Sequence, residues 1–110
     1  MNRCTVLKAG DAQKQEFDWG SLRWFTSRQL GNSDALTTGI CTLKPGMGNP
    51  RHHHPNCEEV LHVLGGRIAH EIEGGGEVEL GPGDTITLPP GAPHGARNVG
   101  EEDAVLFVCF

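Results

Sequence analysis

Residues 46–66 of the chain read GMGNPRHHHPNCEEVLHVLGG, a stretch that combines clustered histidines, paired glutamates and an apolar run. His52 and His54 are two positions apart, so on an extended backbone both side chains point to one face while His53 points to the other. Two neighbouring imidazoles suit a divalent transition metal, which binds histidine nitrogen at about 2.0–2.1 Å. Glu59 opens the apolar run and can supply a carboxylate oxygen. The stretch therefore indicates a metal site at the start of a buried strand.

A further candidate ligand, His94, lies far along the chain, just after a turn at residues 89–91 (PPG). Proline donates no hydrogen bond to a β-ladder, so this turn ends a strand. Because the turn can fold the chain back across a barrel, we expect His94 to lie near the histidine cluster.

Short apolar runs separated by turn residues make up most of the chain, which has 16 glycines and 7 prolines. This pattern is typical of an all-β sandwich or barrel, and no convincing helix or internal repeat is present. The segment 11–19 is polar and reads as a loop or arm. We expect a hairpin in which Gly65–Gly66 turns one strand back onto the next. The predicted strands are residues 3–9, 22–28, 36–43, 57–64, 67–72, 77–80, 85–88, 94–99 and 104–110.

The length and composition limit the class of protein. A chain of 110 residues forms one domain, and we expect residues 1–35 to be an N-terminal strand or arm that packs on a barrel of residues 36–110. A net charge of −5 argues against nucleic acid as a partner. No apolar run reaches the roughly 18 residues of a membrane span, and residues 1–11 do not resemble a signal peptide, so we expect a cytoplasmic protein without a membrane partner.

The cysteines point to the same compartment. The chain has four, and none of them form a C-x-x-C pair. Scattered cysteines of this kind do not indicate a disulfide framework, and we expect them to be reduced thiols. They are Cys4, Cys41, Cys57 and Cys109.

The spacing of the candidate ligands is more specific than their chemistry. The first motif is Gly46, five residues, His52, one residue, His54, four residues, Glu59, six residues, Gly66. The second motif is Gly83, five residues, Pro89, one residue, Gly91, two residues, His94, three residues, Asn98. Each residue type has a background frequency of a few per cent, so chance agreement at all these positions is negligible. The chain resembles a small single-domain member of the cupin superfamily, of the cupin 2 type, from about residue 36 to residue 110.

The resemblance implies a jelly-roll β-barrel of six to eight strands with one divalent metal inside. It assigns the ligands as His52, His54, Glu59 and His94. Asn98 shares strand parity with His94, and we expect its side-chain amide to support a ligand. Three histidines and one carboxylate leave about two positions on an octahedral ion for substrate, dioxygen or both. The ligand set suits Fe, Mn, Ni, Co, Cu or Zn, and the sequence does not choose among them.

Other polar residues near the motifs are weaker candidates. His62 is an odd number of positions from Glu59, so it should face away from the metal, while His70 has no assigned parity; we expect both histidines at a surface or interface. Cys57, two residues before Glu59, can point towards the site as a supporting thiol, although a small buried residue is its commoner role. Alternation sends Glu58 to the face opposite Glu59. We expect surface positions for Arg51, Arg67 and Arg97.

The aromatic residues near the N-terminus have two readings. Trp19, Trp24 and Phe25 can lie in the core, which we expect above all for Trp24. Alternatively, the three can form a dimer surface, since aromatic residues are enriched at interfaces. Similar small cupins commonly pair, sometimes by lending an N-terminal strand, so we expect a homodimer.

The inward positions Leu61, Val63 and Ala96 predict an apolar pocket beside the metal, which suits a small organic molecule that binds through oxygen. Our first hypothesis is an oxidoreductase of the dioxygenase kind. The alternatives are a non-redox isomerase, cyclase or decarboxylase, and a barrel that binds metal and ligand without catalysis. A fold alone does not choose among these reactions.

Overall fold

The computed structural model describes residues 3–110, which form nine strands and one short 3-10 turn at Ala9–Asp11. All strand pairs are antiparallel and lie in two sheets, one with the order β1-β2-β3-β9-β4-β7 and one with the order β6-β5-β8. Within the described residues no helix is long and apolar enough to cross a membrane. The strands are β1 Lys14–Phe17, β2 Gly20–Thr26, β3 Thr38–Leu43, β4 Glu59–Gly65, β5 Ile68–Ile72, β6 Gly76–Leu80, β7 Thr85–Leu88, β8 Ala96–Asn98 and β9 Ala104–Cys109.

The core lies between the two sheets and follows from strict alternation in the central strands. In β3, β4 and β9 every second side chain is buried, as expected for strands with one face towards a core. The larger sheet contributes Leu43, Val63 and Leu106, and the smaller sheet contributes Ile68 and Ala96. The all-β barrel predicted from the sequence is confirmed, and seven of its strands, β3 to β9, lie in the region that resembles the cupin superfamily.

The predicted hairpin between residues 57–64 and 67–72 is wrong. β4 pairs with β7 and β9, whereas β5 pairs with β6 and β8, so Gly65–Gly66 carries the chain from one sheet to the other. Gly66 has a φ of +78°, and a Cβ there would lie 2.7 Å from the Cα of Ala104. The crossing therefore needs a residue without a side chain, and the two glycines mark a change of sheet rather than a hairpin turn.

The N-terminal part of the chain differs from the expectation in two places. Residues 3–9 form no strand, and β1 lies inside segment 11–19, which was expected to be a loop or arm. All four residues of β1 are exposed, so no alternation marks the strand in the sequence. β1 pairs with β2, and β2 pairs with β3, so residues 14–26 extend the larger sheet. The indole Nε1 of Trp24 donates to the side chain of Gln15, 3.3 Å away.

Candidate metal centre

His52 and His94 are brought together by their own backbones. The N–H of each residue donates to the carbonyl oxygen of the other, at 2.9 and 2.7 Å, in an isolated antiparallel bridge outside the named strands. Their rings are 4.2 Å apart between centroids. The approach is supported by Asn49, whose side-chain oxygen accepts from the N–H of Ala96 at 3.0 Å. Main-chain hydrogen bonds thus hold two loops, and both imidazoles, side by side.

His54 and Glu59 complete the cluster from neighbouring positions. Glu59 is the first residue of β4 and has the parity of the buried Leu61, which makes it 5% exposed. The N–H of Gly91 donates to the carbonyl oxygen of His54 at 2.8 Å, so the turn after β7 fixes that loop. The His54 ring also stacks on Phe110 at 4.4 Å between centroids. Backbone pairing and packing therefore position the carboxylate and the imidazole before any ion binds.

The four candidate ligands converge. One ligand atom from each residue can be chosen so that all four lie within 4.8 Å of one another. Ligands on opposite sides of one ion, each bound at about 2.1 Å, are about 4.2 Å apart, so only a small contraction is needed. Three imidazoles and a carboxylate suit a divalent transition metal. The group consists of His52, His54, Glu59 and His94.

Backbone carbonyls orient two of the imidazoles. Nδ1 of His52 lies 2.8 Å from the carbonyl oxygen of Pro50, and Nδ1 of His94 lies 3.0 Å from that of Ala92. A carbonyl oxygen only accepts, so each Nδ1 donates and each Nε2 is left for a metal. Nε2 of His94 is buried and has no hydrogen-bond partner, although it lies 3.3 Å from a carboxylate oxygen of Glu59. A polar atom in this state fits the position of a metal ligand.

The electrostatics of the cluster reflect burial and close contact. Burial alone would raise the pKa of Glu59, but the contacts with His94, His54 and His52 outweigh it and lower that pKa. Burial alone would lower the pKa of His94, but Glu59 and the carbonyl of Ala92 raise it. Burial lowers the pKa of His54, aided by the neighbouring imidazoles and opposed by Glu59. The carboxylate is therefore charged at neutral pH and is available as a ligand.

The cluster borders a cavity of about 180 Å³ between the sheets. Most of its wall is apolar and comes from Leu22, Trp24, Leu61, Leu106, Val108 and Phe110. Cys41 also lines it, and burial followed by the charge of Glu59 raises the pKa of that thiol to about 12, so the sulfur stays neutral. The inward positions of Leu61, Val63 and Ala96 are confirmed, and Trp24 is partly buried and packs against the core. A small, mostly apolar ligand fits such a space.

Several residues near the motif lie outside this site. Alternation predicts this for His53, Glu58 and His62, whereas Cys57 does not take the supporting position that its parity allowed. His53 and Glu58 are exposed. His62 is half-buried, and its Nδ1 lies 2.6 Å from the hydroxyl of Thr85 on the outer face of β4 and β7. Cys57 is half-buried and is not among the residues that line the cavity, and among the described residues all four cysteines are free. The three arginines are exposed in pairs with glutamates: Arg51–Glu71, Arg67–Glu79 and Arg97–Glu77.

Asn98 has a different set of contacts from the one expected. Its amide nitrogen donates to the carbonyl oxygens of Leu43 and Glu102, at 2.9 and 2.7 Å, and its side-chain oxygen accepts from the N–H of Gly100 at 2.9 Å. The side chain is 1% exposed and shares the inward parity of His94. None of these bonds reaches a candidate ligand, so Asn98 ties β8 to the end of β3 and to the loop before β9.

The surface position expected for His70 is wrong. His70 is 0% exposed, lines the cavity, and stacks on His94 with 6.1 Å between ring centroids. Its Cα partners Ala96, whose side chain is inward, in the β5–β8 pair. The signal was in the sequence, because Ile68, His70 and Ile72 share one parity, and an apolar parity marks the face that is buried. Burial lowers the pKa of His70.

Comparison with known proteins agrees with this architecture. The model of the cupin domain family matches residues 39–110. The chain therefore belongs to the cupin family, and the resemblance seen in the two motifs is confirmed.

Two curated relatives illustrate the similarity. Germin-like protein 3-8 of Oryza sativa subsp. japonica is 36% identical over 83 residues, which cover 72% of this chain and 37% of that protein. Dimethylsulfoniopropionate lyase DddQ of Ruegeria pomeroyi is 37% identical over 65 residues, which cover 59% of this chain and 32% of that protein. The chain thus spans only about a third of the length of either relative.

A solved structure shows the same fold. The oxalate decarboxylase of Lactobacillus farciminis, in a formate complex, superposes with a TM-score of 0.79 and 22% sequence identity, covering 92% of this chain and 31% of that one. This likeness confirms that the two sheets form a cupin barrel.

Proposed function

We propose that this protein is a metal-dependent enzyme that acts on a small oxygenated organic molecule. The ion would be divalent, and His52, His54, Glu59 and His94 would hold it. The observation that carries the proposal is the convergence of these four side chains within 4.8 Å beside a mostly apolar cavity. When bound, the ion would supply Lewis-acid or redox chemistry. The walls of the cavity would exclude water and orient the carbon skeleton of the substrate.

Of the two reaction classes, the non-redox one is better supported. A relative that is 37% identical over the matched region is named a lyase, and a lyase breaks a bond without an external oxidant. The expected dioxygenase activity is the second candidate, and its support is the ligand set, which suits Fe as well as Mn or Zn. The third candidate is a barrel that binds a metal and a ligand without catalysis.

The metal proposal is tested by elemental analysis of protein purified without a metal-affinity resin. We expect close to one divalent ion per chain in the wild type and loss of most of it in His94→Ala. His53→Ala is the matched control, because His53 lies between the candidate ligands His52 and His54 in the sequence but is exposed. Equal metal loss in both variants, or no metal in the wild type, would overturn the assignment of these ligands.

The reaction class is tested by turnover of a panel of small carboxylates and hydroxylated carbonyl compounds, with and without dioxygen. Turnover that persists without oxygen supports the non-redox class. Turnover that needs oxygen, with uptake measured at an electrode, would replace it with the dioxygenase class. Full metal loading with no turnover under either condition would leave a binding barrel and contradict an enzyme.

The homodimer is also a proposal, and β1 supports it. This strand is the edge of the larger sheet, and all of its residues are exposed. Phe17 is 40% exposed and stacks on Trp19 with 4.9 Å between ring centroids, so an apolar surface lies beside unpaired backbone groups. Sedimentation equilibrium should give twice the chain mass, and Phe17→Lys should lower the association. A wild-type monomer at micromolar concentration would contradict the proposal.

A further inference from the structure

His70 occupies the cavity without belonging to the metal cluster. It lies in the middle of β5 and is 0% exposed, and its ring is roughly parallel to that of His94, at an interplanar angle of 18°. It is absent from the group of four residues whose ligand atoms meet. A fully buried imidazole at a cavity wall needs a hydrogen-bond partner for each ring nitrogen.

One of its nitrogens has such a partner. Nδ1 of His70 lies 2.7 Å from the carbonyl oxygen of Glu71. A carbonyl oxygen can only accept, so the proton lies on Nδ1 and, in the neutral ring, Nε2 carries a lone pair. The backbone therefore selects the tautomer in which Nε2 is an acceptor.

The other nitrogen has none. Nε2 of His70 is buried and without a hydrogen-bond partner among the described residues. Trp24 also lines the cavity, but its indole N–H already donates to Gln15. The remaining wall of the cavity is mainly apolar. The lone pair of His70 Nε2 therefore stabilises a bound ligand only when that ligand supplies an N–H or O–H group.

We propose that His70 is a specificity-determining residue that accepts a hydrogen bond from a hydroxyl group of the substrate. This inference rests on the proposed function, since the substrate would be held by the metal through a carboxylate or carbonyl oxygen. The substrate class is thereby narrowed to molecules that carry a metal-binding oxygen and, further along, a hydroxyl group. A molecule of similar shape with a methyl group in place of that hydroxyl leaves Nε2 unpaired and is rejected.

The test compares hydroxy acids of increasing length with acids in which a methyl group replaces the hydroxyl. The pairs are 3-hydroxypropionate and butyrate, and 4-hydroxybutyrate and valerate. Binding is measured by calorimetry on zinc-loaded protein. We expect the hydroxyl member of at least one pair to bind about three- to tenfold tighter, because one hydrogen bond contributes about that factor. Equal binding, or a preference for the methyl member, in every pair would overturn the proposal.

Two variants separate this role from metal binding. His70→Phe should keep the zinc and lose the preference for the hydroxyl member. His62→Phe is the matched control, since His62 faces the outer side with Thr85, and it should keep both properties. Loss of zinc in His70→Phe alone would show that His70 is a metal ligand and would contradict the proposal.

A measurement on the wild type remains decisive if His70→Phe does not fold. Nitrogen-15 NMR of the metal-free and zinc-loaded protein should show the proton of His70 on Nδ1 and a shift of Nε2 when the preferred hydroxy acid is added. A proton on Nε2 in the free protein would overturn the proposal. If the protein binds no zinc but still prefers the hydroxyl member of a pair, the proposed metal-dependent function is wrong and the proposed role of His70 is retained.

Discussion

The backbones of His52 and His94 hydrogen-bond to each other in both directions, at 2.9 and 2.7 Å. Main-chain atoms thus hold two candidate ligands that are distant in sequence. A side-chain substitution does not remove these atoms, but it can shift the loops that carry them. The site follows from this bridge, because β4 and the turn after β7 then bring Glu59 and His54 to the same point. We therefore expect variants near the bridge to change metal affinity even when all four ligands are intact.

Asn49 is such a position. Its side-chain oxygen accepts from the N–H of Ala96 at 3.0 Å and attaches the loop before His52 to the start of β8. Asn49→Ala leaves that N–H unpaired, so we expect a stability loss of about 1–2 kcal/mol and a roughly three- to tenfold weaker metal affinity. Competition with a chelator measures the affinity. Asn56→Ala, in an exposed turn, is the control, and equal affinity in both variants would contradict a role for Asn49.

Asn98 should affect stability and not the metal. Asn98→Ala removes three hydrogen bonds to the backbone, one buried and two partly buried, so we expect the free energy of unfolding to fall by about 2–4 kcal/mol. The folded fraction should still bind one ion. Urea denaturation and elemental analysis measure the two quantities, and a folded variant without metal would show that Asn98 supports a ligand after all.

Gly66 and the preceding Gly65 provide a matched pair. A Cβ at position 66 would lie 2.7 Å from the Cα of Ala104 and 2.8 Å from the carbonyl oxygen of Asp103, at a φ of +78°. A Cβ at position 65 would meet nothing within 4 Å. We expect Gly66→Ala to lower the melting temperature strongly, at a cost of about 2 kcal/mol or more, and Gly65→Ala to change it little. Similar melting curves would refute the close approach at the crossing.

The stability of the metal-free protein should depend on the protonation of His70. Burial lowers the pKa of His70 below the 6.5 of an unfolded chain, so acid favours the unfolded state, which takes up the proton more readily. This contribution is fully present above pH 6.5 and is lost as the pH falls from there through the folded pKa. His54 contributes with the same sign, whereas His94, whose pKa is raised, loses its contribution as the pH rises.

Urea midpoints from about pH 5 to pH 6.5 measure the effect. They should rise with pH in the wild type and rise less in His70→Phe. An unchanged slope in this variant would mean that His70 is not buried in its neutral form.

The candidate ligands could be predicted from the sequence because the two motifs have the residue spacing of the cupin superfamily. Alternation separated Glu59 from Glu58 and His52 from His53, and the structure agrees in both cases. Strands with one buried face were also found, for example β3 and β9. In these strands the residues that alternate as apolar in the sequence are the residues that are buried in the fold. The sequence pattern alone is therefore sufficient to predict the strand and its inward face.

The errors arose where local pattern and tertiary structure are uncoupled. β1 has no buried face, so nothing in its residues distinguishes it from a loop. Gly65–Gly66 has the composition of a hairpin turn, and only the distant contact with Ala104 reveals the change of sheet. His70 is different, because its shared parity with Ile68 was visible and indicated a buried position.

The carboxylate of Glu59 faces two imidazoles at once: one oxygen lies 2.9 Å from Nε2 of His54 and the other lies 3.3 Å from Nε2 of His94. Glu59 raises the pKa of His94, so any proton taken up at Nε2 of His94 must leave before a cation can bind there. Loading should therefore release acid into an unbuffered solution, and acidification should in turn release the ion. A barrel that binds metal in this way would exchange protons for cations, and the pH of its surroundings would set the fraction of molecules that hold an ion.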